Sequence, residues 1–375
     1  MLTHLAMRSP EFPFVPDSAS YIEQARSLFE KGSALERSYS MDGGDKEPSK
    51  LFPIGFPATL ALFEFVGVDA SKASIAVNWL SSSLLPILFF LSFRGALGES
   101  YAAIVAALSV FSPGIVTYSG MGATDIFSLA FTACSIALVI NTTSGRHLAA
   151  AGIFAGIAYS IRNAHLALLL SSGLYFFSLS ILDKKNQHAT AVHASIFLSG
   201  ALLILLPVLA RNLILFGSLN PYQMEPSTIG LAVNIRTFIQ EFLYDITANR
   251  HFARALAWSF TGLISLGVSS LFLGWTAVSS WTRLDSKQKN LLLFGSIYSL
   301  VGACIVITAR TRYQWGEPIN VRHTLQYAPY FLAASFVLVS LRTKIAPRPT
   351  VRYLLMLAVA AITVLHGAYA INLDA

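Results

Sequence analysis

The sequence has little charge and almost no cysteine. Of its 375 residues only 12% are Asp, Glu, Lys or Arg, against roughly 25% in a soluble domain, while 54% are hydrophobic. A chain so poor in charge cannot clothe its surface for water, and the solvent for most of it is lipid. The two cysteines, Cys134 and Cys304, both lie inside apolar runs, where they act as small hydrophobes rather than as a disulfide framework. Also missing are a phosphate-binding glycine loop, a dinucleotide fingerprint, a serine-hydrolase elbow and histidines at metal-ligand spacing. The chain therefore supplies no nucleotide-binding domain, and an activated substrate has to arrive in the membrane. The formal net charge of +7 reads as a topology and anionic-lipid signal, not as a nucleic-acid footprint.

What is present is a series of apolar runs near the length that crosses a bilayer as a helix. Lipid offers no hydrogen-bond partners, so a spanning segment is a helix or part of a closed barrel, and barrel strands would alternate over about ten residues. Helices are expected at about 73 to 92, 101 to 119, 123 to 140, 148 to 162, 164 to 182, 191 to 216, 255 to 280, 291 to 309, 326 to 341 and 352 to 372. That predicts an all-α integral membrane protein of about ten transmembrane helices.

Residues 1 to about 50 are polar and acidic, with no signal-peptide core. Within them Tyr21, Ile22, Ala25, Leu28 and Phe29 fall at helical spacing, with Asp17 or Ser18 as the cap and Gly32 as the stop, which predicts a short amphipathic helix at a membrane surface. Ile54 to Gly67 reads as a second interfacial helix. The expected division is residues 1–72 as an extracytoplasmic loop with amphipathic juxtamembrane helices and 73–375 as a multi-span domain.

The loops after the third, fifth, seventh and ninth runs carry Arg146; Lys184 and Lys185; Arg283, Lys287 and Lys289; and Arg342, Lys344, Arg348 and Arg352. Short basic loops face the cytoplasm. The acidic arm is then external, an arrangement that predicts a further helix upstream of residue 1.

Every lysine after Lys72 falls in a predicted cytoplasmic loop, whereas the predicted outer face uses only arginine: Arg162, Arg211, Arg236, Arg250, Arg254, Arg310, Arg312 and Arg322. A topology rule treats the two residues alike. Arginine's planar fork binds phosphate bidentately and stays protonated when partly buried, so the bias suits a lipid phosphate at the membrane surface. The bland alternative is snorkelling, or pairing with Asp125, Glu225, Glu241 and Asp245. Arg322 stands out because it lies in a polar stretch just before a span. Two acids are candidate carriers of chemistry, Asp17 after Pro16 and Asp125 in Ala-Thr-Asp, and for each the bland reading is a helix cap. His323 reads as a proton carrier or an interfacial residue.

Several stretches recur in a familiar order. Pro16-Asp-Ser-Ala-Ser-Tyr21 precedes an Ala-Arg helix; Phe52-Pro-Ile-Gly-Phe-Pro57 leads into the next; then come Ser112-Pro113 with Asp125, Gly152 to Arg162, Arg211-Asn-Leu-Ile-Leu-Phe-Gly217, and Arg322-His-Thr-Leu-Gln-Tyr-Ala-Pro329. This ordered set resembles the GT-C fold polytopic glycosyltransferases that use polyprenyl-phosphate sugars, the protein-mannosyltransferase-like families among them. The resemblance implies inverting transfer on the outer, periplasmic or lumenal, face of the inner or plasma membrane. Asp17 would be the general base toward an acceptor hydroxyl, Arg322 with Arg162 or Arg211 would hold the donor phosphate, and Asp125 and His323 would orient acceptor or sugar. The acceptor would be a glycan, glycolipid or protein, the polyprenyl-phosphate sugar would be the donor substrate, and a divalent metal is left open. The chain departs from the pattern in lacking the helix before the acidic loop, in having Ser18 where a second acid often stands, and in having His323 where the pattern has Tyr. The competing class is a secondary transporter or lipid flippase, which would place charges near the midplane and repeat internally. Here the ionisable residues sit at the outer ends and no repeat is visible.

Overall fold

The computed structural model describes residues 14–37, 46–221, 225–313 and 317–345. The chain opens with helix α1 (Pro16–Lys31). Proline has no N–H to leave unpaired in a first turn, and Gly32 closes the helix at φ 67°, a conformation that a Cβ would strain. The cap stands two residues before Asp17. Val15 stands there, and Ser18 Oγ accepts its N–H, so neither Asp17 nor Ser18 is the cap. Tyr21 and Ala25 are buried as expected, but Phe29 is 49% exposed and the buried face is completed by Ser20, Gln24 and Ser27. A short antiparallel ribbon follows, β1 (Leu35–Arg37) with β2 (Lys46–Pro48), which the sequence did not announce. Helix α2 (Gly55–Phe65) packs Phe56 against Tyr21 with ring centroids 5.4 Å apart.

The bundle is built from α3 (Ala70–Leu97), α4 (Glu99–Val110), α5 (Pro113–Ser119), α6 (Asp125–Asn141), α7 (Gly145–Ile161), α8 (Leu166–Leu182), α9 (Gln187–Phe216), α10 (Leu231–Thr247), α11 (Arg250–Trp258), α12 (Phe260–Ser280), α13 (Ser286–Arg312) and α14 (Ala328–Ile345). Among the described residues four stretches are long and apolar enough to cross a membrane: Ala70–Leu97, Asn163–Leu182, Lys184–Phe216 and Ser286–Arg312. The chain is a multi-pass helical membrane protein. Helices α6 and α14 are apolar but shorter, and the expected last span at 352 to 372 lies outside the described residues.

Two expectations are corrected. The run at 101 to 119 is not one straight helix but α4 and α5 bent by 60°. Pro113 has no N–H for the turn before it, and Ser112 restarts the chain by accepting the Ile115 N–H. The stretch from 217 to 254, expected as a loop, holds α10 and α11. They escaped a search for apolar runs because they are amphipathic: α10 buries Phe238, Glu241, Tyr244 and Asp245 and exposes Leu231 and Val233.

Elsewhere small residues bring helices close. A Cβ on Gly152 would stand 2.0 Å from the Phe197 carbonyl oxygen, and one on Gly200 would stand 2.2 Å from that of Ala149, so α7 and α9 touch backbone to backbone. The core between α3, α13 and α14 is aromatic, with Tyr330 set edge-on to Phe89, Phe93 and Tyr298.

Candidate active site

One turn fastens two helix starts together. Asn78, buried in α3, donates its side-chain N–H groups to the carbonyls of Met121 and Ala123, and its Oδ1 accepts the Phe127 N–H at 3.1 Å. The Ser18 hydroxyl donates to the Gly122 carbonyl at 2.7 Å. The first turns of α1 and α6 are thereby pinned to the same loop, and this brings Asp17 and Asp125 to one end of the bundle.

Asp125 lies in the first turn of α6 and is 2% exposed. It is held by two arginines. Arg162, the residue that follows α7, forms an ion pair with Asp125 Oδ1. Arg322 comes from a single 3-10 turn (Val321–His323) capped by Asn320, and its Nε donates to both Asp125 oxygens at 3.1 and 3.0 Å. The same guanidinium reaches Asp17 Oδ2 through Nη2 at 2.9 Å and Glu317 through Nη1 at 3.5 Å, and it stacks 5.8 Å over the Tyr118 ring. The fork geometry of arginine lets one side chain serve three carboxylates.

Exposure grades across the cluster. The Asp125 side chain is 1% exposed, Arg322 9%, Asp17 29% and Glu317 41%, so the buried end is a structural ion pair and the rim meets solvent at Asp17 and Glu317. Burial works against the Arg322 charge, but the neighbouring charges of Asp17 and Glu317 outweigh it and hold its pKa above the usual arginine value. Burial and the adjacent Asp17 charge push the Tyr21 hydroxyl above the ordinary tyrosine range.

His323 is buried beside these cations. Burial, then the charges of Arg162 and Arg322, push its imidazole well below the ordinary histidine value, so it is neutral at pH 7. Its Nδ1 lies 3.2 Å from the Asn320 backbone nitrogen and 3.1 Å from the Asn320 Oδ1, so Asn320 fixes the ring from both sides. Arg211 is at the same end, because α7 and α9 pack side by side in parallel, but its guanidinium lies 5.7 Å over the Phe216 ring and reaches Asn212. The sequence missed Asn78, Tyr118 and Glu317. A lone Asn in an apolar run was a usable signal for Asn78; nothing marked Glu317 beyond its nearness to Arg322. Among the described residues, no three His, Cys, Asp or Glu side chains form a metal-ligand group.

Solved structures share the fold of the whole chain. ArnT from Cupriavidus metallidurans, in its crystal structure bound to undecaprenyl phosphate, superimposes on 96% of the chain with a TM-score of 0.58 at 14% identity. The Archaeoglobus fulgidus oligosaccharyltransferase in its apo form superimposes on 100% with a TM-score of 0.61, also at 14% identity. The chain has the GT-C fold. It spans 61% of the length of the first GT-C neighbour and 55% of the second. A further structure of the archaeal enzyme AglB, with an inhibitory peptide and a dolichol-phosphate, matches with a TM-score of 0.54 at 12% identity. No family model matches the sequence. No curated protein matches it either.

Proposed function

We propose that the chain is a membrane glycosyltransferase that moves a sugar from a polyprenyl-phosphate donor to an acceptor hydroxyl with inversion, on the extracytoplasmic face. The observation that carries this reading is the linked set Arg162, Asp125, Arg322 and Asp17 at one end of a GT-C bundle. The neighbours support the donor class, since ArnT is bound to undecaprenyl phosphate and AglB to a dolichol-phosphate.

The chemistry follows from the grading of exposure. Asp17, at the rim, takes the proton of the acceptor hydroxyl as its oxygen forms the new bond to the anomeric carbon. The bond from that carbon to the phosphate oxygen breaks, and the electron pair leaves as lipid phosphate. Arg322, with Arg162 behind it, meets the growing negative charge, and Arg211 adds positive field from the neighbouring helix end. Asp125 sets the orientation of both guanidiniums, and neutral His323 helps to orient the sugar or acceptor. Ten spans and an external residue 1–72 loop complete this reading. Transfer from a radiolabelled polyprenyl-phosphate sugar in membranes carrying the chain tests it. Import or flipping of a lipid without transfer would favour the transporter reading instead.

A further inference from the structure

Asp245 of α10 is a carboxyl the reaction above does not use. It is 1% exposed, and among the described residues no cation pairs with it. Its partners are two neutral groups. The Gly114 N–H, at the start of α5, reaches Oδ1 at 2.8 Å, and the Thr324 hydroxyl contacts Oδ2. Gly114 is packed so closely that a Cβ there would stand 2.8 Å from Asp245 Oδ1 and 2.9 Å from the Val321 carbonyl oxygen. Asp245 thus joins α10 to both pieces that frame Arg322: helix α5, which carries Tyr118, and the turn that carries Arg322 itself.

The absence of a counter-ion bears on the form of the carboxyl. Thr324 has one hydroxyl proton but two acceptors in reach, Asp245 Oδ2 and the Val321 carbonyl at 3.3 Å. If Asp245 were ionised, a buried charge would rest on two neutral donors without a counter-ion, which is costly. If Asp245 keeps its proton, Oδ2–H donates to Thr324, Thr324 donates to Val321, and Oδ1 accepts from Gly114. Every proton has an acceptor in either form, so it is the buried charge without a counter-ion that favours the protonated one.

The charged groups on the elements packed here agree. Glu241, one turn away on α10, is itself 3.6 Å from Arg250 of α11; Arg310 lies on α13; Arg322 and His323 flank Thr324 on the turn. Burial first, then the Glu241 charge, pushes the Asp245 carboxyl up to about 8, although its hydrogen bonds to Thr324 and Gly114 act the other way.

We infer that Asp245 is a neutral positioning residue, which uses its retained proton, through Thr324, to hold the Arg322 turn against the start of α5. The link to lipid phosphate rests on the transferase reading; the clamp itself does not. The test uses the full chain in detergent and the variants Asp245→Asn and Asp245→Ala. Asn reproduces the protonated pattern, since its amide N–H donates to Thr324 and its Oδ1 accepts from Gly114. Hydrogen–deuterium exchange of peptides covering 112–119 and 319–327 is measured below and above pH 8, corrected for intrinsic rates. In parallel, the infrared carbonyl band of a protonated carboxyl and binding of undecaprenyl phosphate are measured.

Below pH 8, wild type and Asp245→Asn should exchange alike, with the carboxyl band present only in wild type. Above it, wild type should lose the band, loosen at both segments and bind undecaprenyl phosphate about tenfold more weakly, the equivalent of losing roughly one buried hydrogen bond, while Asp245→Asn does not change. Asp245→Ala should be loose at both pH values. The inference is overturned if Asp245→Asn is as loose as Asp245→Ala, or if wild type shows neither the band nor a pH-dependent change in exchange. If no variant binds undecaprenyl phosphate, the transferase reading falls, and the exchange and infrared results still decide the clamp.

Discussion

Arg322 stands between the two candidate acids, with Nη2 2.9 Å from Asp17 Oδ2 and Nε 3.0 Å from Asp125 Oδ2. The two contacts differ in kind. The one to Asp125 is sealed in the bundle, while the one to Asp17 is at the rim, where a phosphate could compete for the same N–H groups. In the proposed reaction, donor binding would draw Nη2 toward phosphate and leave Asp17 to the acceptor hydroxyl.

Asp17→Asn should therefore separate binding from chemistry. Removing the competing anion should let undecaprenyl phosphate bind several-fold more tightly, while transfer falls by at least about 100-fold, the scale of a lost general base. Equilibrium binding beside a transfer assay checks the pair, and weaker lipid binding in the variant would contradict the competition.

Asp125→Asn should damage the fold as well as the site. It leaves Arg162 and Arg322 buried without their shared carboxylate, and breaking a buried ion pair costs about 3–5 kcal/mol. Thermal unfolding followed by tryptophan fluorescence should show this, and adding Arg162→Met should recover part of the loss rather than add to it.

The axis from α1 to Arg322 was only partly legible in the sequence. Apolar runs mark helices that lipid surrounds, and so α3, α8, α9 and α13 could be read directly. Helices α10 and α11 lack that mark because one face meets the bundle and the other does not. The residues Asp17, Asp125, Arg162 and Arg322 could be picked out because charge is rare here and arginine replaces lysine on one side. Their pairing could not, because Asp125 and Arg322 are 197 positions apart and only the fold brings them into contact. Arg211 has the same composition signal, and its guanidinium lies over the Phe216 ring and bonds Asn212.

That difference gives a graded expectation. Arg322→Ala should weaken undecaprenyl phosphate binding far more than Arg211→Ala, and Arg322→Lys should not restore it, since an ammonium cannot reach Asp17, Asp125 and phosphate at once. Titration of the three variants with the lipid checks the order.

Asn78→Leu keeps the α3 surface apolar but strands the carbonyl of Ala123 and the N–H of Phe127. A loss of about 1–3 kcal/mol is expected from buried groups left unpaired, with transfer reduced because Asp125 drifts from its arginines. Unfolding and transfer assays on one preparation check both.

Stability should depend on pH through Asp245. Its folded pKa of about 8 lies above the unfolded carboxyl value of about 3.9, so the folded state binds more protons between the two. Asp245 therefore makes the fold less stable as pH rises from about 4 to about 8, with no further change above that. Asp245→Asn should remove this slope and be more stable than wild type at neutral pH, which melting curves across the range would show.

The most direct measurement is sugar transfer from a radiolabelled polyprenyl-phosphate sugar panel, in membranes expressing wild type or Asp17→Asn at matched levels. Transfer by wild type that disappears in the variant is the expected result. Undiminished transfer by Asp17→Asn would remove the base from the mechanism, and wild type inert toward every donor would contradict the account.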